Sequence, residues 1–290
     1  MIIVRLNGGL GNQMFQFAAG KALSVQKNTG LVLDVSGFDD LPEGTTKRVY
    51  ELDSFDIKAE LAGGRQIRKL ARPNSINRLL DKARPYYRKA VYSEPFFHYD
   101  PNFFRASSNT ILAGYWQSEK YFKNAAPVIR NELQVKAPLS PATQALVRHI
   151  SSVNAVSVHI RRGDYISDEK TNQYHGTCGL DYYARALSLL MQKTRDTELF
   201  IFSDEIGWAE KNLVSSLPIH FVQHNNGGQA YEDLFLMSHC KHNIIANSSF
   251  SWWGAWLNTN PGKVVIAPSK WFNESNADTK DLLPEEWLTV

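Results

Sequence analysis

The sequence predicts an α/β chain of two doubly wound, Rossmann-like domains facing a cleft, and three observations carry that prediction. Short runs rich in Val, Ile and Phe alternate with stretches of helical spacing, as β-α-β units require. The runs are near-continuously apolar, which suits strands buried on both faces of a parallel sheet. A Pro-containing connection, KAPLSPATQ (136–144), separates two such series, so the expected domains are 1–140 and 141–290.

In the first half, MIIVRL gives a strand over Ile2–Leu6, followed by a glycine turn, a helix over Asn12–Lys27 and a strand over Leu31–Val35. A later strand, Thr110–Tyr115, leads into a helix near Lys120–Leu133. In the second half, the apolar runs Ala155–Ile160, Leu199–Phe202, Ile219–Val222, Asn243–Ala246 and Lys263–Ala267 read as strands. Between the first two of these, Tyr183, Leu187, Leu190 and Met191 recur at helical spacing. Further helices fit Glu205–Ser215, AYEDLFLMSHC (230–240) and SWWGAWLN (251–258), with Trp252, Trp253 and Trp256 expected as helix-face packing.

Composition narrows the function classes. With 290 residues, 43% hydrophobic and 21% charged, the chain reads as soluble and globular. MIIVRLNGG lacks the pattern of a signal peptide, and no run approaches the ~18 apolar residues of a membrane span. A cytoplasmic location is expected. The two cysteines, Cys178 and Cys240, are far apart and argue against a disulfide scaffold or a zinc site. The net charge of +3 is too small to argue for nucleic acid. Yet nine basic residues fall between Arg65 and Lys89 against one acid, Asp81. One reading is a solvated surface. Another is peripheral contact with an anionic inner-membrane leaflet, at about 1 kcal/mol per basic residue.

The chemistry concentrates at strand ends, where open parallel sheets bind ligands. VSVHIRRGDY (156–165) leaves a strand through His159, Arg161, Arg162 and Asp164. The next strand runs into Ser203, Asp204 and Glu205, and a later one into Asn247, Ser248, Ser249 and Ser251 just before a helix. Hydroxyls and free N–H groups at a helix start form a ready anion site. Ser248 and Ser249 together with Arg161 could hold a diphosphate from two sides. Each piece also has a plainer reading: arginines ion-paired with Asp164 and another acid, serines that cap a helix, a core histidine. Their conjunction at successive strand ends favours the functional one.

NGGLGNQMFQFA (7–18) stands where a dinucleotide fingerprint would, with Asp34 as a candidate ribose acid, but Met14 occupies the third glycine position. Asn12 and Gln13 instead place two amides at the helix start, which suit hydroxyls or a sugar. A nicotinamide enzyme remains an alternative. The chain has no Asp-x-Asp and no His-rich or Cys-rich ligand spacing, so no metal or cofactor is expected. Arg161 and Arg162 would supply the charge for a leaving diphosphate.

Five motifs in register, GGLGNQMFQFAAGKAL, GYWQSEKYF (114–122), HIRRGDY, FSDE (202–205) and NSSFSWWGAWL (247–257), resemble the α-1,2-fucosyltransferases of glycosyltransferase family 11. The resemblance implies a GT-B-like fold and inverting, metal-independent transfer of L-fucose from GDP-β-L-fucose to the 2-hydroxyl of a terminal β-galactoside. Such an enzyme builds surface glycans such as an O-antigen, on an acceptor that can be lipid-linked. By the likeness, 141–290 binds GDP-fucose and 1–140 faces the acceptor. Arg161 would grip the β-phosphate, His159 would lie near the guanosine and Asp233 would read the guanine. Ser248 and Ser249 would donate to the diphosphate, with Asp204, Asn247 and Phe250 completing the donor site. Asn12 would sit near the reacting sugar, and Gln13, Gln117 and Tyr121 on the acceptor side. The implied catalytic set is Arg161, Arg162, Asp164, Glu169 and Asn12, with the general base open among Asp164, Asp168, Glu169 and His175. Alternatives are a fucosyltransferase of another linkage and a non-catalytic glycan-binding protein.

Overall fold

The computed structural model describes residues 1–38, 48–65, 67, 81–163, 176–225, 229–273 and 277–290. The chain forms two compact units, Met1–Lys136 with Ala277–Pro284, and Ala137–Asn276 with Glu285–Val290. Most of the basic segment that begins at Arg65 lies outside the described residues.

The first unit contains β1 (Ile2–Arg5), α1 (Leu10–Gln26), β2 (Leu31–Asp34), β3 (Glu60–Leu61), β4 (Val91–Ser93), β5 (Thr110–Ala113) and α2 (Ala126–Glu132). Its strands run parallel in the order β3-β2-β1-β5-β4. Ile2, Ile3 and Val4 are fully buried, as the continuous apolar run requires of a strand covered on both faces. The short edge strands β3 and β4 carry no such run, which is why the sequence does not announce them. The helix expected near Lys120–Leu133 is two 3-10 turns, Glu119–Tyr121 and Lys123–Ala125, followed by α2. A proline in the first turn of α2 lacks the N–H that would extend the α ladder backwards.

The expected domain 141–290 would have included Ala277–Pro284, but this segment packs in the first unit. Its Asp281 accepts the Tyr99 backbone N–H at 3.0 Å and the Lys120 ammonium at 2.6 Å.

The second unit contains α3 (Pro141–Ser152), β6 (Asn154–Ile160), α4 (Leu180–Lys193), β7 (Thr197–Ser203), α5 (Ile206–Asn212), β8 (Ile219–Phe221), α6 (Ala230–His239), β9 (His242–Ile244), α7 (Ser249–Leu257), β10 (Val265–Ala267) and β11 (Leu288–Thr289). The stretch read as a connection, KAPLSPATQ, in fact opens α3. Ser140 caps it by accepting the Thr143 N–H at 3.2 Å, and Pro141 takes the first helical position, where its missing N–H costs nothing.

All strands of this unit are parallel, ordered β11-β10-β9-β6-β7-β8. Val156, Val158 and Ile160 of β6 join Leu199 and Ile201 of β7 and Tyr183, Leu187 and Leu190 of α4 in one core cluster. A second cluster gathers Ala155, Phe200, Phe202, Leu236 and Met237. Trp252 and Trp253 are wholly buried and Trp256 nearly so, with the Trp252 ring 5.3 Å from that of Trp287. The expected packing role of this aromatic stripe is what the structure shows.

The strand order reverses at β6 in this sheet and at β1 in the other. Such a reversal opens a crevice beyond the carboxyl end of the strand, where α/β sheets hold ligands. Two parallel-sheet units of this kind make up an α/β fold of the GT-B-like class. Among the described residues no helix is long and apolar enough to cross a membrane.

Candidate active site

β6 and β7 pair in register along their whole length, so Ile160 stands beside Ser203. The arginines after β6 therefore meet the acids after β7. Arg161 Nη1 lies 2.9 Å from Asp204 Oδ2. The same carboxylate accepts the backbone N–H groups of Arg162 at 2.9 Å and Gly163 at 3.0 Å. A Cβ at Gly163 would come within 2.8 Å of Asp204 Oδ2, so a side chain there would displace the clamp. Arg162 pairs with Glu205 at 3.3 Å and lays its guanidinium 3.6 Å over the Trp208 ring. One carboxylate at a neighbouring strand end thus fixes three consecutive residues at the switch point. Among the described residues, Asp204 and Glu205 are acid partners of the two arginines; Asp164, Asp168, Glu169 and His175 lie outside the described residues.

His159 is 5% exposed, and its Nδ1 has no hydrogen-bond partner among the described residues. Burial, reinforced by the Arg161 charge, pushes its pKa down to about 3, so the imidazole is neutral at working pH. Tyr183 donates to the His159 backbone carbonyl at 3.0 Å, and the Phe250 ring lies 5.7 Å from the imidazole. Among the described residues, this nitrogen lacks the partner that a satisfied core histidine would have.

One strand away, Ser248 caps α7 by accepting the Phe250 N–H at 3.3 Å, with half-buried Ser249 and Phe250 opening the helix. Asn247 serves the fold instead. It is 4% exposed, and its amide donates to the carbonyls of Gly176 at 3.2 Å and Trp271 at 3.1 Å. In the first turn of α6, the half-buried Asp233 accepts from the Asn225 amide at 2.6 Å. Burial raises its pKa to about 6, with the Asn225 bond opposing and Glu232 adding.

In the first unit, the turn after β1 delivers Asn12, whose Oδ1 accepts from the Gln117 amide at 2.7 Å. That bond joins two residues 105 positions apart and both expected on the acceptor side. Gln13 and Tyr121, also expected there, are fully buried. Gln13 donates to the carbonyls of Gly8 and Val49 and accepts the Glu51 N–H, which consumes its amide. The Tyr121 hydroxyl accepts the Asp100 N–H at 2.9 Å and donates to His98 O. Both hold the scaffold from beneath, a role sequence spacing does not separate from ligand contact.

Sequence reasoning missed Glu94. Its carboxylate accepts the consecutive N–H groups of Tyr115 at 2.7 Å and Trp116 at 2.9 Å, in a turn where Trp116 takes a positive φ of 56°. Burial lifts its pKa to about 7 against those two bonds. The clamp sets the residue just before Gln117. The signal in the sequence was Gly114, where a Cβ would sit 2.3 Å from Glu94 Cβ.

Chemically, the second unit offers an oriented guanidinium, a helix start and a buried neutral imidazole, the set that holds an anionic leaving group. The first unit offers amides suited to hydroxyls. The family model described as Glycosyl transferase family 11 matches residues 72–290. Over 297 aligned residues the chain is 34% identical to an alpha-1,2-colitosyltransferase of Escherichia coli, covering 100% of this chain and 99% of the relative. It is 35% identical over 313 residues to the O-antigen biosynthesis glycosyltransferase WbnK of Escherichia coli, covering 98% and 99%. Among solved structures, an Arabidopsis thaliana FUT1 variant in complex with GDP aligns with a TM-score of 0.53 at 13% identity, over 99% of this chain and 75% of that one, a likeness of fold.

Proposed function

Because this chain belongs to glycosyl transferase family 11, we propose that it transfers L-fucose from GDP-β-L-fucose to the 2-hydroxyl of a terminal β-galactoside, with inversion and without a metal, in surface glycan synthesis. As a glycosyltransferase it is neither a nicotinamide enzyme nor a non-catalytic binding protein. The observation that carries the reading of a sugar leaving a diphosphate is Arg161, oriented by Asp204 at the switch point of the second sheet, with the α7 start on the adjacent strand.

Breaking the sugar–phosphate bond puts negative charge on the departing GDP and oxocarbenium character on the sugar. Donors already aimed at that charge stabilise the transition state by roughly 3–4 kcal/mol each. In this reading Arg161 takes the β-phosphate, and Ser248 and Ser249 at the α7 start add donors. His159, neutral, offers its buried Nδ1 to the nucleotide. Asp233 accepts from the guanine, whose N1–H and amino group match an ionised carboxylate. Asn12 and Gln117 position the acceptor hydroxyls.

The 34% identity to an alpha-1,2-colitosyltransferase favours a second donor reading. Colitose lacks the 3-hydroxyl that fucose carries, so the discriminating groups are those that would bond this hydroxyl. A site built to bond a hydroxyl rejects the analogue lacking it strongly, whereas an apolar pocket discriminates weakly. The experiment is GDP release in excess EDTA from GDP-fucose and from GDP-colitose, each with a panel of galactosides. Release from GDP-fucose with a β-galactoside and α-1,2 product stereochemistry supports the proposal. Release from GDP-colitose alone replaces the donor, and a requirement for added metal overturns the metal-independent mechanism.

A further inference from the structure

His149, Glu198 and His220 come from three elements and converge on one oxygen. Nε2 of His149 lies 3.0 Å, and Nε2 of His220 2.7 Å, from Glu198 Oε2. The ligand-capable atoms of all three residues lie within 4.8 Å of one another. The convergence follows from the fold. His149 sits in the last turn of α3 and Glu198 near the amino end of β7. His220, in the middle of β8, pairs with Phe200. Strand alternation puts Glu198 and Phe200 on one face. The His220 ring stacks on Phe200 at 4.8 Å and 19°, and the His149 ring lies 5.7 Å from it. Phe200 is fully buried, so a fixed apolar floor orients both imidazoles.

The His149 and His220 side chains are 42% and 37% exposed and that of Glu198 24%, so a solute ion can reach them. Arg161, Asp204 and Ser248 follow the carboxyl ends of their strands, whereas Glu198 lies near the amino end of β7. The cluster therefore occupies the opposite rim of the sheet, and nothing in the transfer reaction uses it.

We propose that His149, Glu198 and His220 form a structural site for a zinc-type divalent ion that ties α3 to the β7–β8 edge of the second unit. Two imidazole nitrogens and one carboxylate are a donor set for zinc and its neighbours, with water completing the tetrahedron on the solvent side. Magnesium and calcium demand oxygen ligands and are excluded by the same set. Bonds of about 2.0–2.2 Å place tetrahedral ligand atoms roughly 3.3 Å apart, so the observed pairs need to open by only a few tenths of an ångström. The sequence showed no metal spacing because the three residues are scattered over 71 positions and only the sheet register unites them.

The test uses full-length protein without a histidine tag, stripped with EDTA and dialysed, then titrated calorimetrically with zinc chloride. One equivalent should bind and raise the unfolding temperature, and magnesium should do neither. His149→Ala and His220→Ala should each weaken zinc uptake by more than about tenfold and cancel the thermal shift, since even outer partners of a ligand are worth that much. Glu198→Gln keeps the local shape and should weaken uptake likewise, and the thermal shift on adding GDP confirms that each variant is folded. Zinc uptake by the His149→Ala/His220→Ala double variant equal to that of the parent overturns the proposal. So does an absence of uptake by the parent, which would leave the cluster a charge triad. Because the metal is remote from the reaction, EDTA treatment should leave transfer intact.

Discussion

Asp204 and Arg161 meet at 2.9 Å while the same Asp204 carboxylate takes the N–H groups of the next two residues, so the arginine and its backbone are aimed by one group. Hydrogen bonds to charged groups contribute about 1.5–3 kcal/mol. Asp204→Asn, which keeps the shape and loses the charge, should lower kcat/KM by about ten- to hundredfold. Arg161→Lys should come close to abolishing transfer, because an ammonium cannot reproduce the fork. Steady-state GDP release measures both, and a lysine variant with most of its activity would remove Arg161 from the phosphate.

Gly163→Ala tests the clamp from the other side. A methyl 2.8 Å from Asp204 Oδ2 forces the carboxylate off the Arg162 and Gly163 amides. Activity should fall with little change in unfolding temperature, since the segment is at the edge of the core. A parallel loss of both would mark the glycine as a folding requirement.

The pKa of Asp233 near 6 gives donor binding a pH signature. The carboxyl is raised, so it is ionised above about 6 and protonated below. If the ionised form bonds guanine, the Kd for GDP should rise by up to about tenfold per pH unit below that point. Isothermal titration from pH 5 to 8 reads the profile. Asp233→Asn should bind weakly and without the pH dependence.

Glu94 predicts a stability signature instead. Its pKa moves from 4.5 to about 7, so between those values the folded chain holds a proton that the unfolded chain has lost. The Glu94 contribution to the unfolding free energy should therefore decline as pH rises across this window, and the loss is complete above about 7. His159, lowered to about 3, contributes the opposite slope below its unfolded value, so the quantity to read is the parent minus Glu94→Gln difference in denaturant titrations, which should decline from about pH 4.5 to 7. A difference independent of pH would refute the raised pKa.

Ser140 both caps α3 and donates to the fully buried Glu232 at 2.7 Å. Ser140→Ala should cost about 1–3 kcal/mol, from the lost cap and an under-satisfied carboxylate. Chemical denaturation reports it, and a loss under about 0.5 kcal/mol would mean that water replaces the hydroxyl.

Much of this was legible in the chain, for physical reasons. β6 declared itself because a strand buried on both faces must be apolar throughout, and the arginines after it had to leave the sheet at its carboxyl end. The helix at Pro141 was hidden because proline reads first as a breaker, although at the first helical position it favours a start. Gln13 and Asn12 look alike in sequence; only burial shows that one amide is consumed by the backbone while the other meets Gln117. Glu94 was hidden because its partners are backbone amides, and its one trace in the sequence is Gly114, which leaves room for its side chain.

The excursion of Ala277–Pro284 into the first unit has a consequence for how the protein is made. A nascent chain emerges from its amino end, and leading domains ordinarily close first. Here Asp281, which ties down Tyr99 and Lys120, is synthesised only after the whole second sheet apart from β11. The amino-terminal unit cannot be completed until these late residues have been made. A chimera that exchanges the first unit between relatives will be complete only if it carries residues 277–284 along with the first 136.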